Sequence, residues 1–322
     1  QLKRIKTLKL DEKVAVLEVS RTATHFDYFL KLSTLQKGKP IYLPLKRNPY
    51  LDECLKKGER LPFVQVRITD KTCTISAIVG YDKAPLRPST ESIGLDFGMV
   101  SMFTTSDGER HGLSSFTKLK IWDKELLELT KDLQKQSIKF STNERYVQLQ
   151  QRIKSYFKNE ICRILNKLAK KHVGVFAVEH LDFRAAGMSK QMNRLIGRTY
   201  RSVVKAKLSR LEEQYGIQII AVNPAYTSQE CSRCHYVSKE NRKTQKDFVC
   251  QHCHYSCNAD VNAGRVINQR RSLMLEFPVY AKRSASRTVR CQVQEASKEC
   301  HRRYCHDNGL MTYEESLAKG SL

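Results

Sequence analysis

The sequence predicts an α/β protein: a mixed sheet with helices, carrying an inserted four-cysteine zinc ribbon and preceded by a barrel-like β-rich domain. Three observations predict it. Residues 1–90 carry short segments of alternating, β-branched-rich side chains, the pattern of half-buried strands. From Ile93 onward, near-continuous apolar runs alternate with long amphipathic stretches, as buried strands alternate with the helices that cover them. Two C-x2-C pairs then stand between the last apolar run and a final helix start.

In the N-terminal segment, strands are read at Val14 to Ser20, Phe26 to Leu35, Pro40 to Leu45, Pro62 to Ile68 and Cys73 to Val79. Lys-Gly and Asp-Lys turn elements between them favour an antiparallel sheet or barrel over helices. The stretch DKAPLRPSTES, with its two prolines, marks a boundary near residue 90. IGLDF, VSMFTT and a Ser-Asp-Gly turn before ERHGL predict a meander whose first strand is apolar except for Asp96. Helices follow over Ser115 to Ile138 and Thr142 to His172, the second opened by Ser141-x-x-Glu144, a capping-box spacing. Val147, Ile153, Tyr156, Phe157, Ile161, Ile164, Leu165 and Leu168 recur along it at helical intervals. VGVFAVEHL, Val173 to Leu181, reads as a central strand that delivers one carboxylate to its end. A basic helix around Arg194 to Gln214 leads into GIQIIAVNP, so a right-handed parallel crossover is expected. NADVNAGRVINQRR starts a last helix, and beyond Arg271 the periodicity fades into a polar, basic tail. The expected organisation is 1–90, 91–225, 226–257 for the ribbon, 258–270 and 271–322.

The 57 Lys and Arg residues outweigh 33 Asp and Glu, for a net charge of +24 and a pI near 9.6. Such a surface attracts polyanions, nucleic acid first among them; the alternative is a basic protein without a specific partner. No run reaches the ~18 apolar residues of a membrane span, and QLKRIKTLKL lacks a signal-peptide core. The chain is therefore read as cytoplasmic and nucleoid-associated, with no membrane partner. Four of the eleven cysteines sit in the paired spacing, which in a reducing compartment favours metal over disulfide.

Asp96, Glu179 and Asp260 each sit where an apolar strand or a helix start would otherwise exclude a charge. A buried carboxylate is costly unless paired or metal-bound. Three in one domain fit two hard divalent cations, Mg2+ with Mn2+ as the alternative, held ~3.5 to 4 Å apart for phosphodiester hydrolysis. Taken singly, Asp96 also fits a bulge, Glu179 a salt bridge and Asp260 a helix cap. The order of Asp on a meander, Glu on a later parallel strand and Asp on a helix is an RNase H-type arrangement. Asp107, Glu109 and Asp182 fall in turns and are read as solvated.

Cys231-Ser-Arg-Cys234 and Cys250-Gln-His-Cys253 enclose fifteen residues, a spacing for one structural Zn2+ bound by four thiolates. A redox dithiol is the alternative reading. Cys257, His235, His252 and His254 are alternative ligands, read instead as surface neighbours because of the paired spacing, and Cys300, Cys305, His301 and His306 form a weaker candidate metal cluster in the tail. Arg184, Lys190, Arg194, Arg198, Arg201, Lys205, Lys207 and Arg210 recur between Glu179 and the next strand, several on one helical face suited to phosphates or simply solvated. Tyr226 either stacks on a base or buttresses the ribbon.

PAYTSQECSRC, FVCQHC and ADVNAGRVI together resemble the signature of TnpB proteins, transposon-encoded relatives of type V CRISPR effectors, and IGLDFG and FAVEHL resemble the first two RuvC motifs of that family. The resemblance spans Ile93 to Asn268. It implies an RNA-guided DNA endonuclease with a RuvC-like catalytic site at Asp96, Glu179 and Asp260. Its partners would be a guide RNA derived from the transposon end and double-stranded target DNA, and its N-terminal part a wedge-type domain gripping RNA. His235 and His254 stand where the family usually has Gly, and Gly264 where Ala is usual. Only 95 residues precede Asp96, fewer than the family typically carries, which is read as truncation or natural reduction. The other functions to separate from this one are an RNA-guided regulator that does not cut, a guide-independent structure-specific nuclease, and a strand-transferring transposase.

Overall fold

Alternation in the N-terminal segment builds two three-stranded antiparallel sheets. The computed structural model describes residues 7–20, 24–69, 72–98, 101–171, 173–180, 189–244, 246–284 and 286–318, and the chain divides between Lys83 and Ala84 into two units. The first carries β1 (Leu8–Asp11), β2 (Ala15–Val19), β3 (Tyr28–Leu32), β4 (Ile41–Leu45), helix α1 (Pro49–Lys57), β5 (Glu59–Ile68) and β6 (Cys73–Gly80). The sheets run β1-β5-β6 and β2-β3-β4. Because side chains alternate across a strand, Ala15, Leu17, Tyr28, Leu30, Val64 and Val66 meet in one small core. The register of β5 shifts between Arg60 and Val64, around Pro62, which has no N–H to give the ladder. Helix α1 is an addition to the expected strands: Asn48 accepts from the amides of Tyr50 and Leu51, and Pro49 opens the first turn.

The second unit holds β7 (Ser92–Asp96), β8 (Phe103–Thr105), β9 (Arg110–His111), α2 (Ser115–Lys135), α3 (Glu144–Ala169), β10 (Val175–Glu179), α4 (Lys190–Tyr215), β11 (Gln218–Val222), β12 (Asp247–Val249), β13 (Ser256–Asn258), α5 (Ala259–Ser272), α6 (Arg287–Asp307) and α7 (Tyr313–Ala318). Its main sheet has the order β11-β10-β7-β8-β9. Strands β7, β10 and β11 are parallel, and β8 and β9 are antiparallel to their neighbours, the expected meander and crossover. Ile93, Leu95 and Phe176 face a core shared with Leu119, Leu126, Phe157, Ile161 and Leu165 from α2 and α3. The alternate positions turn the other way, and there Ala177 and Val222 pack against Ile267 of α5.

Helix α5 lies directly on β7 because Gly94 carries no side chain at the crossing. A Cβ on Gly94 would stand 2.0 Å from the Gly264 carbonyl oxygen and 2.8 Å from the Asn268 amide nitrogen. This contact fixes the start of α5 relative to the end of β7.

Two expectations are corrected. Helix α3 is capped by Asn143, whose side chain accepts from the Tyr146 amide, and not by a Ser141–Glu144 capping box; Ser141 lies in the preceding 3-10 turn. Residues 271–322 are not simply a polar tail: α6 buries Val289, Val293, Ala296, Ser297, Cys300, His301 and Cys305. Its packing joins Tyr280 and Ala225 in a separate small core.

Candidate functional site

Asp96 and Glu179 are the last residues of two adjacent parallel strands. Val178 is level with Leu95, and continuing that register sets Glu179 beside Asp96. Both share the sheet face of Gly94 and Ala177, toward α5. Asp260 occupies the first turn of α5, where Asn258 caps the helix by accepting from the amides of Asp260 and Val261. The positive end of the helix dipole favours a carboxylate there. The Asp260 Oδ2 atom lies 3.4 Å from the Cβ position of Gly98, two residues beyond Asp96. Two strand ends and a helix start thus bring the three carboxylates to one edge of the sheet.

The electrostatics follow from this crowding. Burial, then the charges of Glu179 and Asp260, push the Asp96 carboxyl well above the usual carboxylate range. Burial also raises Glu179, against a hydrogen bond donated by the Thr227 hydroxyl. The Arg242 guanidinium lies 3.0 Å from Asp260 Oδ1. Concentrated negative charge of this kind suits divalent cations, which would relieve the repulsion. Among the described residues, the groups whose ligand atoms all lie within 4.8 Å of one another are the four ribbon cysteines and a Cys234, His252 and His301 trio. Asp96, Glu179 and Asp260 are not among these groups.

The ribbon's two knuckles have one geometry. The Cys231 amide donates to Tyr236 O and the His235 amide to Cys231 O; the Cys250 amide donates to Tyr255 O and the His254 amide to Cys250 O. The residue after each second cysteine is left-handed, φ 60° at His235 and 53° at His254, which accounts for glycine being the easier choice at both positions. The sulfurs of Cys231 and Cys253 are 3.7 Å apart and those of Cys234 and Cys250 3.6 Å, close to the roughly 3.8 Å between thiolates on a tetrahedral ion with ~2.3 Å bonds. Cys231, Cys250 and burial push the Cys234 thiol far up, so the four cannot all ionise without a cation at their centre. The residues fit a structural zinc ion.

Asn262 joins the ribbon to the carboxylate helix: its Oδ1 accepts from the Ser232 amide at 3.0 Å and its Nδ2 donates to Glu230 O at 2.7 Å. One helical turn therefore holds a cap, a carboxylate and a ribbon anchor. Buried Asn241 stitches the two knuckles, donating to Gln229 O and Tyr236 O and accepting from the Gln251 amide. Glu230 and Arg270, both fully buried, pair at 2.6 Å. Thr227, Arg242, Glu230, Arg270, Asn241 and Asn262 had no signal of their own in the sequence beyond standing in or beside the cysteine and NADVNAG motifs.

Arg201 and Lys205 of α4 line a groove of about 620 Å3 together with Glu179, His180, Ser209 and Arg283. Lys190, Arg194 and Arg210 are exposed on the same helix, and Lys207 is buried. Arg184 and Asp182 lie outside the described residues, as does the side chain of Arg198. Tyr226 is left-handed, φ 64°, and packs against the core of α6 beneath the Arg290 guanidinium, the surroundings of a buttress. Asp107 and Glu109 pair with Lys171. The tail cluster does not assemble as grouped: His306 is exposed and pairs with Asp307, whereas His301 turns to the ribbon and bonds Cys234 O.

A family model described as Cas12f1-like, TNB domain, matches residues 203–267, from the second half of α4 through the ribbon into α5. The chain is similar to "Putative RNA-guided DNA endonuclease InsQ" of Escherichia coli (strain K12), 33% identical over 206 residues, covering 57% of this chain and 50% of that protein. It is similar to "TnpB-like protein aq_aa05" of Aquifex aeolicus (strain VF5), 36% identical over 85 residues, covering 26% of this chain and 27% of the relative. The alignments span half or less of these relatives. Among solved structures, a chain of "Cryo-EM structure of the Cas12f1-sgRNA-target DNA complex" shares the mixed α/β fold, with a TM-score of 0.51 at 18% identity, covering 81% of this chain and 59% of that one.

Proposed function

We propose that the chain is a TnpB/Cas12f-like protein, an RNA-guided DNA endonuclease whose RuvC-like site cuts target DNA, a reading supported by its similarity to InsQ and by the TNB-domain match. The observation that carries this reading is the meeting of Asp96, Glu179 and Asp260 at one sheet edge. The strand order β11-β10-β7-β8-β9 supports an RNase H-type domain, and the N-terminal unit is then the wedge-type part that grips guide RNA. The division into 1–90, 91–225, 226–257, 258–270 and 271–322 belongs to the same proposal.

In this reading Asp96, Glu179 and Asp260 would hold two Mg2+ ions, which would supply an activated water and stabilise the leaving oxygen of the phosphodiester. Thr227 orients Glu179 by donating to its Oε1. Arg242 holds Asp260 and presents a guanidinium beside the scissile phosphate. Arg201 and Lys205 take the neighbouring backbone phosphates in the groove, and phosphate contacts by Arg194 and Arg198 belong to the same proposal. Sequence is read by pairing between guide and target, and the net charge of +24 holds the backbones.

The test is to purify the protein with its bound RNA, sequence that RNA, and challenge the complex with a matched target in Mg2+. The expected result is RNA-dependent cleavage that Asp96→Ala and Glu179→Ala abolish while RNA binding persists. Matched binding with no cleavage by the unaltered protein, or cleavage of branched DNA without RNA, would replace the proposal with a regulator or a structure-specific nuclease.

A further inference from the structure

Beside the four-cysteine centre, two histidines converge on one of its sulfurs. The ligand atoms of Cys234, His252 and His301 lie within 4.8 Å of one another, and the two imidazoles are nearly perpendicular with centroids 4.5 Å apart. Their tautomers follow from their partners, because a carbonyl oxygen only accepts. His301 Nδ1 donates to Cys234 O at 2.7 Å, which leaves Nε2 with the lone pair of a neutral ring. His252 Nε2 donates to Met311 O at 3.1 Å, which leaves Nδ1 with the lone pair. That Nδ1 is buried and meets no hydrogen-bond partner among the described residues. Locking one ring nitrogen on a backbone carbonyl is how proteins orient a metal-binding imidazole.

Each neutral ring thus keeps one nitrogen able to take a metal, and both rings stand beside the Cys234 sulfur. Cys305 Sγ, 3.7 Å from His301 Nε2, stands behind as a further soft donor. A cavity of about 260 Å3 lined by His235, Tyr236 and Arg302 reaches His301. We propose that Cys234, His252 and His301 form a second metal site for a Zn2+-class ion, with the Cys234 thiolate bridging it to the four-cysteine zinc. Imidazole and thiolate donors select a borderline-soft ion over Mg2+. Bonds of ~2.0–2.3 Å require roughly 1 Å of closure among the three donors, within reach of side-chain rotation. The ion would clamp α6, which carries His301, and the Met311 turn, which holds His252, onto the ribbon. The proposal does not depend on the nuclease reading.

Metal counting tests it. The full chain is saturated with Zn2+, freed of loose metal by gel filtration, and measured by plasma mass spectrometry. Two zinc ions per chain are expected, falling to one in the His252→Ala/His301→Ala double variant. Cobalt(II) in place of zinc gives a second reading: the mixed sulfur and nitrogen site adds bands to the blue of the four-thiolate spectrum, and the double variant loses those bands alone. His301→Gln, which keeps a polar side chain of similar reach against Cys234 O, is the control should the double variant fail to fold, and it too is expected to hold one ion. One zinc per chain in the unaltered protein, or two in either variant, overturns the proposal.

Discussion

Asp96 is held in the fold at a cost while no cation is present. Its carboxyl is raised by burial and by Glu179 and Asp260, so the folded state prefers the protonated form. A carboxyl of raised pKa gives its stabilisation at low pH and loses it as pH rises from the ordinary range near ~4 through the folded value. Asp96→Asn removes the charge without the shape. It is expected to raise the melting temperature of the metal-free protein at pH 7 by a few degrees, to flatten that part of the pH dependence, and to abolish stabilisation by Mg2+; an unchanged Mg2+ response in calorimetry would refute the site. The left-handed histidines give a second comparison. Exposed His254→Gly should stabilise by up to about 1 kcal/mol by relieving φ 53°. His235→Gly relieves the same strain but loses the 2.8 Å bond from His235 Nδ1 to Glu230, so its melting temperature should rise less or fall. At this scale the three carboxylates were legible because each interrupts an apolar or helical pattern. Thr227 and Arg242 were not: a turn threonine and one arginine in a hydrophilic hairpin look like any others until the fold brings them to Glu179 and Asp260.

Among the elements, the crossing of α5 over β7 sets the distance between Asp260 and Asp96. Gly94→Ala puts a methyl 2.0 Å from the Gly264 carbonyl, where backbone has to yield. It should destabilise by about 1–3 kcal/mol and reduce cleavage further than its effect on folding explains. Gly264→Ala places its methyl 3.2 Å from Ser106 N and Thr105 C, a crowding of a few tenths of an ångström, against a gain near ~1 kcal/mol in helix propensity. Its net effect should be small, so chemical denaturation of the two variants separates a crossing that needs bare backbone from one that tolerates a methyl. The strands and long helices were readable because their apolar periods are strong. Helix α6 was missed because its buried stripe is built from Ala296, Ser297, Cys300, His301 and Cys305 as well as Val289 and Val293; the spacing is helical, but few of those side chains register as apolar. Helix α1 buries no residue, so its local cap was the sole cue.

Across the second unit, ribbon, α5 and α6 are tied through one buried charge network. Arg270 pairs with Glu230 at 2.6 Å, donates to Asn223 O and stacks on Tyr280; Glu230 also takes His235 and Ser297. Burial raises the Glu230 carboxyl, but Arg270 and His235 outweigh it and hold the group below the ordinary value. The sign is opposite to that of Asp96. A lowered carboxyl contributes stability above its unfolded pKa and loses it as pH falls through the folded one, so acid relieves the carboxylate edge while it dissolves the network behind it. Arg270→Met strands the Glu230 charge in the interior and should cost about 3–5 kcal/mol. Pairing it with Glu230→Gln removes the uncompensated charge, and the double variant should recover much of that loss while losing the acid sensitivity. A double-mutant cycle from denaturant titrations at pH 7 and pH 4 measures both effects. Strictly additive losses at pH 7 would mean that Glu230 and Arg270 do not couple, and that apolar packing alone joins ribbon to helices.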